Sequence, residues 1–423
     1  MRLKNEQFAL DYFSSAMSLS TRVNDKIKQR DFKLNALLEI TAAINANLPV
    51  KDLLKQYEKV LRGQLSVDKL ILFTKEEKWK CILKYGVADD EIQDVSDERF
   101  FQKQSEITFT TGKTQESFDL SIPVIQNDQT IAYLLAGDVE EHEIRMSAVV
   151  KHMKFIQTLT NVLVVAIQNR KLQEDSLRQE RVKKELEMAA EMQAILLPQH
   201  LPNNQFYEVG AFYRAHQQVG GDYYDFMELN ENEAMFCMAD VSGKGVSAAF
   251  LMANFQAYIR SVFSYHPGDL VDIVRELNEQ VMRSAKGEKY ITLFLGVYKK
   301  STRTLQYVNC GHNPPVLADA NGYTQLLKLG TIGLGMFEEL PKIVEGEVKI
   351  GKDSIVVCFT DGLVETENGE EQEFGTERLE QLVLTYFKDP IDHINEIILD
   401  ALNDFRGEAP YFDDLAILST RFF

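Results

Sequence analysis

The 423-residue chain has few cysteines and histidines, and they stand apart from one another. Its four cysteines form no Cys-x-x-Cys pair, and its seven histidines form no His-x₃-His pair. This spacing excludes a disulfide framework and the common zinc motifs, so any metal ion is expected to be bound by carboxylates. The cysteines are expected to be reduced residues in apolar segments: Cys81, Cys237, Cys310 and Cys358.

Long hydrophobic runs and net positive charge are also missing. The uncharged stretch at 155–169 contains polar side chains and is shorter than the roughly 20 apolar residues of a membrane span. The first residues, MRLKNEQFAL, carry no export signal, so a cytoplasmic protein without a membrane span is expected. A net charge of −18 disfavours binding to the phosphate backbone of nucleic acids.

The chain does have the composition of a folded protein of two or three domains, with 45% hydrophobic and 26% charged residues. Helical spacing predicts an N-terminal helix in 1–32 and further helices at 34–47 and 53–61. Strand-like runs follow, ending in SIPVIQNDQTIAYLLAGD, which predicts a hairpin that turns at Asn127-Asp128. We expect an α+β domain over 33–168.

A helical linker is predicted at 169–197, before Pro198 and Pro202. Its last part has apolar residues at alternating spacings of four and three, which is typical of a coiled coil. The same pattern is compatible with a surface helix lying along its own domain. The residues of this linker seam are Val182, Leu186, Ala189, Gln193 and Leu196.

Aspartates in the last region, 198–423, stand at the ends of strand-like runs and beside glycines or other acids. They are Asp222, Asp240, Asp361, Asp413 and Asp414. A single Asp beside Gly is ordinarily a turn residue, but several carboxylates along one rim of a sheet repel one another unless a cation is present. Mg²⁺ and Mn²⁺ prefer such oxygen ligands, and a two-metal oxygen site suits hydrolysis at phosphorus.

Five segments resemble the SpoIIE/RsbU-type branch of the PP2C (PPM) metal-dependent protein serine/threonine phosphatases. They are VGGDYYDF, ADVSGKGVSAAFLM, CGHNPPVL, FTDGL and DDLAIL. The resemblance implies an α+β fold, an αββα sandwich, with two Mn²⁺ or Mg²⁺ ions per active site and a metal-bridging hydroxide that attacks phosphorus. It implies metal binding by Asp222, Asp240, the Val241 carbonyl, Asp361 and Asp413. The motif does not clearly place the adjacent Asp414.

Two positions depart from the family pattern. Gln217 stands where eukaryotic members have a phosphate-binding arginine, which leaves Lys244, Arg214 and Arg260 as candidates for substrate binding. Ala416 stands where the family often has Thr or Ser. His312, a lone histidine before Pro-Pro, is expected to order a loop rather than to transfer protons.

The N-terminal region resembles a GAF domain more loosely, and no cofactor-binding residue is evident. The resemblances imply a phosphatase acting on phosphoserine or phosphothreonine, with a STAS-type anti-sigma-factor antagonist as substrate. An unidentified ligand or partner protein would act on the GAF-like domain, and a homodimer would form through the linker.

Two other nucleotide-related motifs are discounted. The VGGD segment differs from a GGDEF loop because Tyr223 and Tyr224 follow it. TGKT at 111–114 and SGKG at 242–245 lack the frame of a phosphate-binding loop. The alternative function is a catalytically silent phosphoprotein-binding scaffold, against which the presence of all four metal-position aspartates argues.

Overall fold

The computed structural model describes residues 2–87, 107–109, 118–137, 148–265 and 269–423, with side chains from residue 23 onward, Tyr265 excepted. The TGKT segment at 111–114 lies outside the described residues, and so do the side chains of 1–22 in the predicted N-terminal helix. The chain divides into two units, 1–179 and 180–423. Among the described helices, none is long and apolar enough to cross a membrane.

The N-terminal unit begins with one uninterrupted helix, α1 (Arg2–Asn45), where the sequence predicted two. No Pro or Gly interrupts the stretch between the two predicted helices, so no residue ends the first one there. A second helix, α2 (Val50–Glu58), follows Pro49 and continues as a π-helical segment, Lys59–Gln64. Pro at such a position suits a helix start because its missing N–H has no intrahelical partner.

Five antiparallel strands form the sheet of this unit in the order β2-β1-β5-β4-β3. They are β1 (Lys69–Lys75), β2 (Trp79–Tyr85), β3 (Thr108–Phe109), β4 (Leu120–Gln126) and β5 (Gln129–Gly137). Asn127 and Asp128 both have positive φ, 49° and 60°, as a two-residue hairpin turn requires. The predicted hairpin is thereby confirmed.

A long helix, α3 (Ala148–Ala194), closes the N-terminal unit and runs on into the second. Its first part belongs to the core of the N-terminal unit, where Leu159 and Leu163 are fully buried and Tyr57 hydrogen-bonds Thr160 at 2.5 Å. The stretch 171–185 is exposed throughout. The closing helix continues past the N-terminal core, as the sequence analysis expected, and the assignment of 169–197 as a linker stays a prediction.

The C-terminal unit, 180–423, contains two sheets. The first has the order β13-β10-β9-β8-β7, with β14 also paired to β10. Its strands are β7 (Tyr223–Glu228), β8 (Glu233–Val241), β9 (Ile291–Lys299), β10 (Thr304–Cys310), β13 (Gly330–Thr331) and β14 (Gly346–Lys349). The second has the order β12-β11-β15-β16-β6. Its strands are β6 (Tyr207–Arg214), β11 (Val316–Ala318), β12 (Thr324–Leu326), β15 (Ser354–Phe359) and β16 (Leu415–Phe422).

A pair of helices packs against each sheet. Helices α4 (Val246–Tyr265) and α5 (Leu270–Ala285) contact the first sheet. Past the short helix α6 (Asp361–Val364), helices α7 (Thr376–Thr385) and α8 (Ile391–Arg406) contact the second. One apolar core includes Phe236 and Phe294 of the first sheet together with Phe422 of the second. The layers are therefore helix, sheet, sheet, helix, as the family resemblance implied.

The sequence analysis placed Asp361 at the end of a strand-like run. In the structure β15 ends two residues earlier, at Phe359, and Asp361 begins α6. The chain turns here because Gly362 lies against the neighbouring backbone. A Cβ at Gly362 would lie 1.9 Å from the Asp414 carbonyl oxygen, so only glycine fits this approach.

Candidate active site

The predicted acids come from both sheets of the C-terminal unit. Asp222 directly precedes β7, and Asp240 lies at the matching end of β8, because Tyr223 pairs with Ala239 across the hairpin. Asp361 follows β15 and Asp413 precedes β16, two strands that are paired in the second sheet. We call Asp222, Asp240, Asp361 and Asp413 the acid cluster.

The carboxyls of the acid cluster disfavour one another's charge. Burial, then the charges of Asp240 and Asp414, raise the pKa of Asp222 well above its usual range. Burial together with Asp361 and Asp413 raises the pKa of Asp240 to about 7, and burial followed by Asp413 raises that of Asp361. Perturbed carboxyls held together in this way are typical of functional sites.

The acid cluster offers the donor chemistry of a divalent cation site. The Oδ2 atom of Asp222 is buried without a hydrogen-bond partner, and buried polar atoms without partners are rare. A Cβ at Gly221 would lie 3.0 Å from the Val241 carbonyl oxygen, so glycine admits this carbonyl close to the chain that carries Asp222. Within the described part of the chain, however, no three His, Cys, Asp or Glu side chains already converge as metal ligands.

Lys244, one of the three candidates for substrate binding, lies at the acid cluster. Its Nζ is 2.9 Å from Asp413 Oδ2, and it also donates to the Phe412 carbonyl. The loop that presents it turns through Gly243 and Gly245, whose φ angles are 82° and 76°. A cation therefore already faces the most exposed carboxylate of the site.

Asp414 has a different environment from Asp413. Its Oδ1 accepts from the His216 backbone N–H at 2.7 Å, and its Oδ2 accepts from the Gly221 N–H at 2.5 Å. Asp414 thus fixes the loop that leads into Asp222. Because backbone donors engage both oxygens, we leave it out of the proposed metal ligands.

Arg260 is withdrawn from the substrate-binding candidates. Its Nε and Nη2 donate to the two oxygens of the buried Asp225 at 2.6 and 2.8 Å. Tyr223 Oη also donates to Asp225, at 2.6 Å. The sequence analysis missed Asp225 because the residue lies inside β7, where no turn or glycine marks it.

Arg214 lies at the end of β6, with its guanidinium carbon 4.3 Å from the centroid of the Tyr411 ring. The two residues line a pocket of about 320 Å³ that Asp413 also lines. A second arginine, Arg406, lies over the same ring at 4.4 Å. The sequence analysis missed Arg406 because it is the last residue of helix α8 and belongs to none of the recognised motifs.

Gln193 was assigned to the linker seam, but it is buried within the C-terminal unit. Its Nε2 donates to the Gly220 carbonyl at 2.6 Å, and the Gly220 N–H donates to its Oε1 at 3.1 Å. The end of α3 is thereby joined to the loop that precedes Asp222. A glutamine at an apolar seam position was the only signal of this contact in the sequence.

His312 is buried, and burial lowers its pKa to about 4, so its ring is neutral at ordinary pH. Its Nδ1 is 2.9 Å from Thr292 Oγ1, and its backbone N–H donates to Asn309 Oδ1 at 2.8 Å. These contacts agree with the expected loop-ordering role. Ala416 is fully buried, as expected of a core position.

Comparison with known proteins relates the C-terminal unit to one class. Residues 230–423 match the family model of Stage II sporulation protein E (SpoIIE). The SiaA-PP2C domain of Pseudomonas aeruginosa superposes with a TM-score of 0.52 at 22% identity, covering 58% of this chain and 99% of that domain. The C-terminal unit has the PP2C fold. In this PP2C-type domain, Asp240, Asp361 and Asp413 fall within the SpoIIE match, and Asp222 precedes it.

Two relatives are similar to this chain in sequence. The phosphoserine phosphatase RsbU of Bacillus subtilis is 29% identical over 197 residues, 45% of this chain and 57% of RsbU. Protein IcfG of Synechocystis sp. is 26% identical over 264 residues, 56% of this chain and 41% of IcfG. The matches thus span about half the length of these relatives.

Proposed function

We propose that the PP2C-type domain is a protein phosphatase that hydrolyses phosphoserine or phosphothreonine in a protein substrate. The observation that carries this proposal is the acid cluster, in which burial and neighbouring carboxylates raise the pKa values of Asp222, Asp240 and Asp361 and the buried Oδ2 of Asp222 has no hydrogen-bond partner. The resemblance to RsbU, a phosphoserine phosphatase by name, supports the choice of substrate group.

The proposed metal ligands are the acid cluster and the Val241 carbonyl, which would hold two Mn²⁺ or Mg²⁺ ions. Bound there, the ions would offset the carboxylate charges and acidify the water that attacks phosphorus. Asp414 and Gln193 position the loop before Asp222, and Lys244 orients Asp413. In the net reaction the water oxygen forms a bond to phosphorus and the bond between phosphorus and the serine oxygen breaks. The serine oxygen takes one proton of that water.

The proposal is tested with the full chain and a phosphoserine peptide, by measuring phosphate release with Mn²⁺ and with EDTA. Asp361→Asn should lower the rate at least 100-fold, because it removes one ligand of the site. Asp272→Asn is the matched control, since Asp272 is an exposed acid of α5 paired only with Arg275. Binding of the peptide without Mn²⁺-dependent release would instead support the scaffold function.

The biological substrate we propose is a STAS-type anti-sigma-factor antagonist, on the basis of the family resemblance. We also propose that the N-terminal unit is a GAF-like sensor of an unidentified ligand or partner protein, and that the protein is cytoplasmic. Helix α3 would carry the signal, because Gln193 near its end holds Gly220, two residues before Asp222. Coupling requires that both ends of this helix change one equilibrium.

We further propose a homodimer formed through the exposed part of α3. This part presents apolar side chains, which are usual at interfaces when they occur together on one helix. The exposed ones are Leu172, Leu177, Val182, Met188 and Met192. Gln193 is excluded from the dimer seam because it is buried against Gly220.

A further inference from the structure

Beside the acid cluster lies a small pocket with a basic lining, which we call the tyrosine pocket. It is formed by Arg214, His216, Arg406, Tyr411 and Asp413, and its volume is about 320 Å³. Such a volume suits one side chain rather than a large ligand. Two guanidiniums are unusual here, because the chain as a whole carries a charge of −18.

The two guanidiniums are held in place by an aromatic ring. The carbons at the centres of the Arg214 and Arg406 guanidiniums lie 4.3 and 4.4 Å from the Tyr411 ring centroid. Tyr411 is fixed in turn, because its Oη donates to Asn403 Oδ1 at 2.6 Å. Arginines held in advance lose less conformational entropy when they bind an anion.

The guanidinium of Arg214 keeps donors for a ligand, and Arg406 keeps one donor without a partner. Arg406 Nη1 donates to the Ala409 carbonyl, and its Nε is buried without a hydrogen-bond partner. Arg214 makes no ion pair with any described residue; it lies over the Tyr411 ring and also lines a neighbouring pocket with Glu396 and Asp400. A planar carboxylate is the group that the guanidinium fork binds best among protein side chains.

The position of the tyrosine pocket separates it from the site of hydrolysis. Of the acid cluster, only Asp413 lines it, and Asp222, Asp240 and Asp361 do not. A phosphoryl group bound at the metal ions that those three carboxylates would hold leaves the tyrosine pocket free for a neighbouring part of the same peptide.

Building on the proposed function, we propose that the tyrosine pocket binds an acidic side chain flanking the phosphorylated residue of the substrate. Arg214 and Arg406 would then determine which peptide sequence is preferred. The acid cluster would hold the metal ions at which the phosphoryl group is hydrolysed. The chain carries a net negative charge, which repels an acidic substrate segment. The two arginines of the tyrosine pocket would therefore determine where such a segment can bind.

The test uses the full chain and phosphoserine peptides that differ only in flanking residues: Asp, Asn or Lys. The wild type should hydrolyse the Asp peptide with a kcat/KM about tenfold above that of the Asn peptide, as one charge-assisted pair permits. Arg214→Gln should bring this ratio near one, and Arg214→Glu should favour the Lys peptide. Arg275→Gln, an exposed arginine of α5, is the control and should keep the wild-type ratio.

Equal losses on all peptides in Arg214→Gln, or no wild-type preference for the Asp peptide, would overturn the inference. If the wild type releases phosphate from none of them, the proposed function fails, and fluorescence anisotropy with labelled Asp and Asn peptides decides the inference. Tighter binding of the Asp peptide that Arg214→Glu abolishes would support it. Equal binding of the two would overturn it.

Discussion

At the scale of single residues, Gln193 joins a helix to the candidate active site through two hydrogen bonds to one glycine. The contact lies in a crowded place, because a Cβ at Gly220 would lie 2.2 Å from Tyr213 Oη and 2.5 Å from Asp414 Oδ2. The loop before Asp222 therefore has little room to shift. Its position depends on Gln193 from one side and on Asp414 from the other.

Replacing Gln193 by Ala should weaken Mn²⁺ binding about tenfold. The substitution leaves the buried N–H and carbonyl of Gly220 without partners, which costs about 1–3 kcal/mol and releases the loop. Calorimetric titration with Mn²⁺ measures the effect, and Gln280→Ala on the exposed face of α5 is the control. Lower stability with unchanged Mn²⁺ affinity would show that Gln193 acts on folding alone.

Arg260 and Asp225 provide a second test at this scale, because the structure moves Arg260 from substrate binding to an ion pair with the buried Asp225. Arg260→Met should destabilise the protein by about 1–3 kcal/mol, since the buried Asp225 carboxylate loses its cation and keeps the Tyr223 hydroxyl as a donor. Asp225→Asn in the same variant should restore part of this loss. Urea unfolding followed by circular dichroism measures both, with Arg275→Met as control. A stable Arg260→Met variant with impaired substrate binding would return Arg260 to the substrate site.

The buried His312 should make the folded protein less stable as the pH falls. Its pKa is about 4 in the folded protein against 6.5 ordinarily, so the unfolded chain binds the proton first as the pH falls. Between pH 6.5 and 4 the folded state should therefore lose up to about 3 kcal/mol from this residue. His312→Asn should lose less stability than the wild type over this range in urea unfolding, whereas His393→Asn, an exposed histidine, should not differ. Equal losses in wild type and His312→Asn would contradict the account.

At the scale of elements, the sequence predicted what strong local patterns specify. The hairpin at Asn127-Asp128 has strand-like runs on both sides of a clear turn signal. Helices α7 and α8 and the short strands β11 to β14 were not predicted. Strands of two to four residues are too short to show a period of two, and their pairing depends on distant partners.

The candidate site was predictable in part for the same reason. Aspartates next to glycine-rich turns are visible in sequence, and they were recognised. Arg406 and Asp225 were not, because one ends a helix and the other lies inside a strand, where no turn or glycine marks either of them. Asp413 and Asp414 are adjacent in sequence, and only the fold distinguishes the one that faces Lys244 from the one that holds the loop.

The exposed part of α3 yields a prediction for the whole element. Leu186→Lys should weaken the proposed dimer, because it places a charge in the linker seam. Gln173→Lys is the matched control, since it adds the same charge at an exposed position of α3 outside the seam and outside the exposed apolar residues. Sedimentation velocity should show dissociation at higher concentration for Leu186→Lys than for Gln173→Lys. Identical behaviour of both variants and the wild type would rule out a dimer through this seam.

At the scale of the whole molecule, charge is distributed unevenly around the candidate active site. The chain carries −18 overall, and the acid cluster concentrates part of it where burial makes it costly. A carboxyl whose pKa is raised on folding, such as Asp240, contributes stability at low pH that is lost as the pH rises toward 7. Divalent cations should reverse this loss, so Mn²⁺ should stabilise the protein more at pH 8 than at pH 5.5.

The most direct test of the central claim is an equilibrium titration of the full chain with Mn²⁺, in which electron paramagnetic resonance counts free ions. The account predicts two saturable ions per chain, and a lower number or a weaker affinity in Asp222→Asn and Asp361→Asn. Asp272→Asn should bind as the wild type does. A wild type without saturable Mn²⁺ binding would contradict the assignment of the acid cluster as a metal site, and with it the proposed phosphatase mechanism.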